Sequence, residues 1–246
     1  MAGPGSGSPD VAKDAFAPEP HPKPTLLSDF ILGSQDGIVN VLGIILGLAA
    51  VGAPRTIIIV ATLAALAAES IAMGAVAYTS TLSRRRLYLS EVQREQVEMR
   101  ELPEVERNEV RTVLTEWGYQ GTQLEEVLEH ICSNPRAMLE FMMAFELKLS
   151  PVDPKAPRAS AAVVGSATLI GHLIPLTPFF VLINVFQGAI LSVILSAGAL
   201  FGIGWYEANV TDGRWWRNGL QMLVIGLAGG FAGFIIGYFL HAGGFY

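Results

Sequence analysis

The segment of residues 28–48, SDFILGSQDGIVNVLGIILGL, decides the fold of this chain. It is long and apolar enough to cross a lipid bilayer as one helix, yet its first half carries Asp29 and Asp36. These carboxylates are almost two helical turns apart and therefore project from nearly the same face. A carboxylate at membrane depth costs roughly 3 kcal/mol or more, so such groups usually face a protein interior or a wet path. Asp29 also suits a helix start at the headgroup level, whereas Asp36 lies deeper and is the stronger functional candidate.

The composition of the whole chain is that of a membrane protein. The 246 residues have a mean hydropathy of +0.44, and only 15% are charged, against about 25% in soluble domains. Residues 159–206 and 218–246 contain no Asp, Glu, Lys or Arg, while residues 84–155 hold most of the charges. The net charge of −6 gives no reason to expect a nucleic acid partner. We expect an all-α polytopic protein in a lipid bilayer rather than an enzyme.

Four further apolar runs, at 56–82, 157–183, 187–208 and 217–240, give five transmembrane helices. The arginines that follow the second run mark the cytosolic side by the positive-inside rule, so the amino terminus also lies in the cytosol. Glycines four residues apart in the first and last runs predict close helix packing. The predicted domains are a disordered cytosolic tail at 1–24, spans one and two at 25–83, a cytosolic helical metal-binding insert at 84–155, and spans three to five at 156–246.

The second span carries one acid, Glu69, with Met73 four residues on and hence on the same helix face. A carboxylate beside a thioether could pass a metal ion, or the carboxyl could stay protonated in a helix interface. We favour the first interpretation because Asp36 and Glu69 would lie at comparable depths on neighbouring helices. His172 in the third span is interpreted as a polar packing residue rather than a metal ligand.

The insert repeats carboxylates at helical spacing. Pairs of glutamates three residues apart occur on its first two predicted helices, and two methionines precede a glutamate by three and four residues on its last. Glutamates facing inward from different helices build iron and manganese sites in bundles, oxygen ligands alone also suit Mg²⁺ or Ca²⁺, and a thioether favours a softer ion such as Fe²⁺. The candidate metal ligands are Glu95, Glu98, Glu106, Glu109, Met142, Met143 and Glu146.

A second interpretation of these residues is purely structural. Glutamates are frequent in the insert, so pairs at helical spacing also arise by chance. The methionine segment FMMAFEL could equally be a stripe of the insert's own core. The glutamates could then form ordinary surface ion pairs with Arg94, Arg100, Arg107 and Arg111.

Five segments resemble the vacuolar iron transporter family, in the same order along the chain. They are SDFILGSQDGIVN at 28–40, ESIAMGAVAYTS at 69–80, REQVEMRELPEVERNEV at 94–110, NPRAMLEFMMAFEL at 134–147 and GHLIPLTPF at 171–179. The resemblance implies a homodimer of five-span subunits that moves Fe²⁺, and often Mn²⁺, out of the cytosol in exchange for protons, with no prosthetic group. It implies a path along the dimer interface and cytosolic helices that collect the metal.

The family's functional positions match this chain residue by residue. All seven candidate ligands of the insert have counterparts, as do Asp29, Asp36 and Met73 in the membrane. Plant members carry a pore glutamate at the position of Ala65, whereas this chain has Glu69 one turn further on. The transport path expected here therefore comprises Asp29, Asp36, Glu69 and Met73.

Electrostatics alone predicts exchange of metal for protons. Moving one ion into low dielectric costs roughly 20 kcal/mol in the idealised case, and a dication costs more. Asp36 and Glu69, doubled by a two-fold axis, would offset that cost. Without metal, four carboxylates at close range could not all stay ionised, so protons must bind when the metal leaves.

Two other functions remain open from the sequence. A membrane-anchored storage protein or ferroxidase would need Glu-x-x-His pairs, which the insert lacks, and would leave Asp36 unexplained. A receptor or sensor would use the cytosolic helices to report metal to a partner. The membrane in which the protein lies depends on the organism. The Ala- and Gly-rich composition favours a prokaryote and hence the plasma membrane; in a eukaryote we expect the vacuolar membrane.

Overall fold

The computed structural model describes residues 24–244, so the predicted tail lies outside the described residues except for Pro24. The described secondary structure is entirely helical, which confirms the predicted all-α class. A π-helical turn, Met142–Glu146, follows α5 directly. The helices are α1 Pro24–Ala50, α2 Arg55–Glu101, α3 Pro103–Glu116, α4 Gly121–Cys132, α5 Pro135–Phe141, α6 Ala156–Leu176, α7 Pro178–Val181, α8 Val185–Val210 and α9 Trp215–Ala242.

Five of these helices, α1, α2, α6, α8 and α9, are long and apolar enough to cross a membrane, as the sequence predicts. The longest is α2 with 47 residues, which at 1.5 Å per residue is about 70 Å and far exceeds a hydrocarbon core of about 30 Å. Only its apolar first part can span. Its charged second part therefore projects beyond the span and forms the first helix of the insert.

Helix α1 is the centre of the membrane part. It packs against each of the other four spanning helices. Ile38, Val41, Leu42 and Ile45 on α1 are completely buried, and the last three belong to one apolar core with residues of α2, α6, α7 and α8. The other spans thus assemble around the segment of residues 28–48.

Glycines bring α1 and α9 into backbone contact. A Cβ on Gly233 or Gly237 would collide with the carbonyl oxygen of Gly43 or Gly47, respectively. Any larger residue at these two α9 positions would force the helices apart. The close packing predicted from the glycine spacing is therefore present, and here it joins the first and last spans of a single chain.

The third span is shorter than predicted because it ends at Leu176 instead of continuing to residue 183. Pro178 cannot donate a backbone hydrogen bond and starts the separate short helix α7. Arg55, at the start of α2, closes this corner: its Nε donates to the carbonyl oxygen of Phe179 at 2.7 Å and its Nη2 to that of Phe180 at 3.2 Å.

The insert forms its own small helical bundle on the projecting end of α2. Gly118, at φ 93°, ends the turn after α3 in a conformation that favours glycine. The last predicted helix differs from expectation, because it is α-helical only to Phe141 and then widens into the π turn. The apolar core of the bundle comprises Val110, Leu114, Leu128, Met138, Phe141 and Met142.

Candidate metal sites

The first candidate site lies where α2 meets α3. The chain reverses at Leu102, whose N–H donates to the carbonyl oxygen of Glu98 at 2.7 Å, and Pro103 begins the next helix. This turn brings Glu95 and Glu98 of α2 against Glu106 of α3, with one carboxylate oxygen of each within 4.8 Å of the others. The side chains of Glu95 and Glu106 are only 2% and 3% exposed. Both members of the first predicted glutamate pair and Glu106 of the second therefore converge on one site.

Two more predicted ligands, Glu109 and Glu146, act on the same site through their negative charge. Burial, followed by the charges of Glu109, Glu95, Glu98 and Glu146, raises the pKa of Glu106 from 4.5 to about 7. Burial and the charge of Glu109 likewise raise the pKa of Glu146. One buried oxygen each of Glu95, Glu106 and Glu146 has no hydrogen-bond partner among the described residues. A dication would relieve both the repulsion and the missing partners.

Ion pairing with arginine accounts for only part of these glutamates. Arg107 pairs with Glu129 at 2.9 Å and Arg111 with Glu125 at 3.2 Å, so both arginines bind α4 instead of the glutamate site. Of the arginines and lysines that the structure describes, Arg94 alone reaches the site, 3.6 Å from Glu98 and 3.9 Å from Glu95. No salt bridge forms at Glu106, Glu109 or Glu146 within residues 24–244.

The two predicted methionine ligands are both buried, at 0% exposure for Met142 and 3% for Met143. Met142 belongs to the apolar core of the insert, as the core-stripe interpretation predicts, whereas Met143 does not. Both lie in the π turn with Glu146, where the N–H of Leu147 donates to the carbonyl oxygen of Met142 at 3.0 Å. Single π turns inside helices frequently occur at functional sites.

The second candidate site lies inside the membrane part, around Glu69. Its Oε1 accepts a hydrogen bond from Nδ2 of Asn40, and its Oε2 lies 2.8 Å from Nε2 of His172. The other ring nitrogen of His172, Nδ1, lies 2.7 Å from the carbonyl oxygen of Thr168. Because a carbonyl oxygen can only accept, Nδ1 carries the hydrogen and Nε2 is left to face Glu69.

Asp36 completes this membrane cluster, which we define as Asp36, Asn40, Glu69 and His172. The Asp36 carboxyl is within hydrogen-bonding reach of that of Glu69 and close to the His172 imidazole. Its Oδ2 is buried and has no hydrogen-bond partner among the described residues. Asp36 and Glu69, expected at comparable depths, are therefore neighbours in the structure.

The cluster depends on a close approach of α1 to α6. A Cβ on Gly37 would collide with the carbonyl oxygen of Thr168 and would lie 2.8 Å from Nδ1 of His172. Only glycine fits at position 37 without moving α6. The Asp-Gly pair of α1 thus supplies both the carboxylate and the space beside it.

The other two predicted path residues lie apart from this cluster. Asp29, two turns before Asp36 on α1, lines a cavity of about 750 Å³ at the junction with the insert, together with Arg84, Lys148 and Lys155. Met73 is half-buried, one turn beyond Glu69 on α2. The structure therefore groups Asp36 with Glu69 and places Asp29 toward the insert.

Sequence reasoning missed Asn40 and gave His172 only a packing role. Asn40 lies one turn after Asp36 on the same helix face. The four-residue spacing that linked Glu69 with Met73 would also have linked Asp36 with Asn40. The contact of His172 with Glu69 joins α6 to α2, two helices far apart in the chain, so spacing along the sequence does not predict it. A search for polar side chains one turn from each membrane acid would have found Asn40.

Five helices that are long and apolar enough to span a membrane, with α1 packed against the other four, define a polytopic helical membrane protein. The chain belongs to the VIT family, whose model matches residues 27–238, and this confirms the resemblance found in the sequence. It is 31% identical to "Vacuolar iron transporter 1" of Arabidopsis thaliana over 86% of this chain and 84% of that protein. It is 32% identical to "Vacuolar iron transporter 2" of Oryza sativa subsp. japonica over 85% of each chain. "Protein CCC1" of Saccharomyces cerevisiae is 25% identical over 87% of this chain and 69% of the yeast protein.

Proposed function

We propose that this protein transports Fe²⁺, and Mn²⁺ as well, out of the cytosol in exchange for protons. The observation that carries the proposal is the presence of two separate clusters of carboxylates, one in the insert and one inside the membrane part. The names of the relatives support iron as the cargo. The metal is the substrate of this process, which needs no prosthetic group and no catalytic residue.

The insert collects the metal. Glu95, Glu98 and Glu106 offer three oxygen ligands that already lie close together, and Glu109 and Glu146 add negative charge around them. Thioethers from Met142 and Met143 would make the site softer than one built from oxygen alone. Such a site concentrates Fe²⁺ or Mn²⁺ from a cytosol that is rich in Mg²⁺.

The membrane cluster passes the metal. Asp29, at the cavity below the insert, is the entrance, Asp36 and Glu69 follow, and Met73 is a further thioether on the path. A dication at this depth requires anionic ligands, because the cost of desolvating it is otherwise prohibitive. When the ion leaves, the neighbouring carboxyls take up protons because two adjacent charges repel each other in low dielectric. Exchange of protons for metal follows from that alternation.

The exposed faces of α1 and α2 support a homodimer. Glu69 is still 22% exposed and its partner Asn40 is exposed, so the membrane cluster opens toward the outside of the chain. Val76, two turns on from Glu69 and therefore on nearly the same face of α2, is a large apolar residue that is 59% exposed. A carboxyl facing lipid is costly, whereas a second copy placed here would enclose the cluster and double its carboxyls.

The orientation follows from Arg84, Arg85 and Arg86, which begin the charged part of α2. Basic residues beside a span mark the cytosolic side, so the amino terminus and the insert lie in the cytosol. The membrane would be the vacuolar membrane in a eukaryote, as in the names of the relatives, and the plasma membrane in a prokaryote.

Flux of Fe²⁺ into proteoliposomes tests the proposal, with Asp36→Asn and Glu106→Gln compared against the wild type. We expect Asp36→Asn to abolish flux at every metal concentration. Glu106→Gln should raise the concentration needed for half-maximal flux while the maximal flux is retained. Glu125→Gln, on the outer face of the insert, is the matched control and should behave like the wild type.

Two outcomes would contradict the proposal. Normal flux from Asp36→Asn would remove the membrane cluster from the path and favour a storage or sensor role. Fe²⁺ flux that ignores an imposed pH gradient would rule out proton exchange.

A further inference from the structure

We propose that His172 is a metal ligand, so that the membrane site is a mixed nitrogen and oxygen site made by Asp36, Glu69 and His172. This inference rests on the proposed passage of metal past Asp36 and Glu69. It replaces the packing role that the sequence suggested for His172.

The imidazole is already oriented as a ligand. Nδ1 donates to the carbonyl oxygen of Thr168 at 2.7 Å, which leaves Nε2 facing Glu69; the proton shared between Nε2 and Oε2 of Glu69 must leave before Nε2 can bind an ion. Histidines that bind metal almost always donate their other ring nitrogen to a carbonyl or carboxylate in this way. The ring is completely buried, and the contact with Thr168 lies within one turn of α6, so its position is fixed by the fold.

The spacing of the ligand atoms suits one ion. Nε2 of His172 and Oε2 of Glu69 are 2.8 Å apart. Two ligands at right angles around an ion, each about 2.1 Å away, are separated by about 3.0 Å. Asn40 holds the other oxygen of Glu69, so an ion would replace the proton that Oε2 shares with Nε2 of His172. The unpartnered, buried Oδ2 of Asp36 provides a third ligand.

A nitrogen ligand changes which ions pass. Carboxylates alone suit Mg²⁺, Ca²⁺ and Mn²⁺, whereas imidazole suits Fe²⁺, Co²⁺, Ni²⁺ and Zn²⁺. His172 therefore gives the membrane step a preference of its own, in addition to that of the insert. It would bias transport toward Fe²⁺ and against the abundant dications that bind oxygen best.

Electron spin echo spectroscopy of Mn²⁺ bound to the full chain in detergent tests this assignment directly. A coordinated histidine nitrogen gives a ¹⁴N modulation, which we expect in the wild type. It should vanish in His172→Gln and persist in His130→Gln, whose side chain is exposed on α4. In proteoliposomes, His172→Gln should lower Co²⁺ flux relative to Mn²⁺ flux by about 10-fold, the scale for losing even an outer-shell partner of a metal.

A labelling experiment does not depend on the folding of His172→Gln. The chain has four histidines, so His21→Gln, His130→Gln and His241→Gln together leave His172 alone. Incorporating ¹⁵N-histidine into this triple variant should replace the ¹⁴N modulation with a ¹⁵N one. An unchanged pattern, a wild type without nitrogen modulation, or a modulation that survives His172→Gln would each overturn the assignment.

The same samples separate this inference from the proposed function. Mn²⁺ flux without nitrogen modulation would support the proposed transport and contradict His172 as a ligand. Nitrogen modulation without any metal flux would support His172 as a ligand and contradict the proposed transport.

Discussion

Glu95 and Glu106 lie on different helices, yet their carboxylate oxygens come within 4.8 Å of each other while both side chains are almost fully buried. Two like charges in such a position repel each other and are poorly solvated, so the metal-free insert carries an energetic cost. The insert is also small enough that its apolar core alone gives marginal stability. Its stability should therefore respond strongly to metal, pH and the charge of these two residues.

Glu106→Gln should stabilise the metal-free insert and abolish its response to metal. Removing one buried charge is expected to raise the melting temperature by about 5 °C, which corresponds to about 1 kcal/mol in a domain of this size. Added Mn²⁺ should then give little further stabilisation, because one of three clustered ligands is neutral. Calorimetry of the full chain with and without Mn²⁺ measures both effects. Glu104→Gln, exposed on the same helix, is the control and should change neither.

The stability of the metal-free insert should fall as the pH rises. The pKa of Glu106 is raised from 4.5 to about 7, so the folded protein binds a proton more tightly than the unfolded chain does. This contribution is fully present below pH 4.5, and it is lost progressively as the pH rises to about 7 and beyond. Denaturant unfolding from pH 4.5 to 8 measures the slope, which should flatten in Glu106→Gln. A metal-free insert whose stability rises over this range would contradict the assignment.

Metal affinity should change in the opposite direction. Protons held by Glu106 and Glu146 compete with the dication, so Mn²⁺ binding should strengthen as the pH rises through 7. Each pH unit below the pKa of Glu106 should weaken binding by up to about 10-fold, since one proton must be released. Titration calorimetry at pH 5.5, 6.5 and 7.5 tests this expectation. Affinity that is independent of pH would show that these carboxyls do not bind the ion.

Gly37→Ala should impair transport far more than Gly43→Ala, although both lie on α1. At Gly37 the added methyl would collide with the Thr168 carbonyl and press on Nδ1 of His172, which must move α6 away from the membrane cluster. At Gly43 the nearest atom, the carbonyl oxygen of Gly229, is 3.8 Å away, an ordinary contact. We expect at least about a 10-fold loss of Fe²⁺ flux in the first variant and near wild-type flux in the second. Equal flux from the two variants would argue against a required close approach of α1 to α6.

The sequence predicted those site residues whose charge or spacing differs from that of their neighbours in the chain. A charge in an apolar run is conspicuous, so Asp36 and Glu69 were found and their proximity was expected. Glu95 and Glu106 were visible through helical spacing and the break at Pro103. Asn40 gave no such contrast. The orientation of the His172 ring depends on the tertiary packing of α6 against α1 and α2. The π turn was also missed, because helical periodicity does not distinguish it from an α-helix over five residues.

Replacing Met142 and Met143 together by leucine should change ion preference without unfolding the insert. The swap conserves volume and typically costs less than about 1.5 kcal/mol, although both side chains are buried. A thioether stabilises Fe²⁺ but adds little for Mg²⁺, so the preference for Fe²⁺ should fall while Mg²⁺ affinity is kept. Anaerobic competition calorimetry measures that ratio, with Met138→Leu, another buried methionine of the same core, as the control. If the double variant and the control give the same ratio, the methionines serve only the core of the insert, and the carboxylates alone bind the ion.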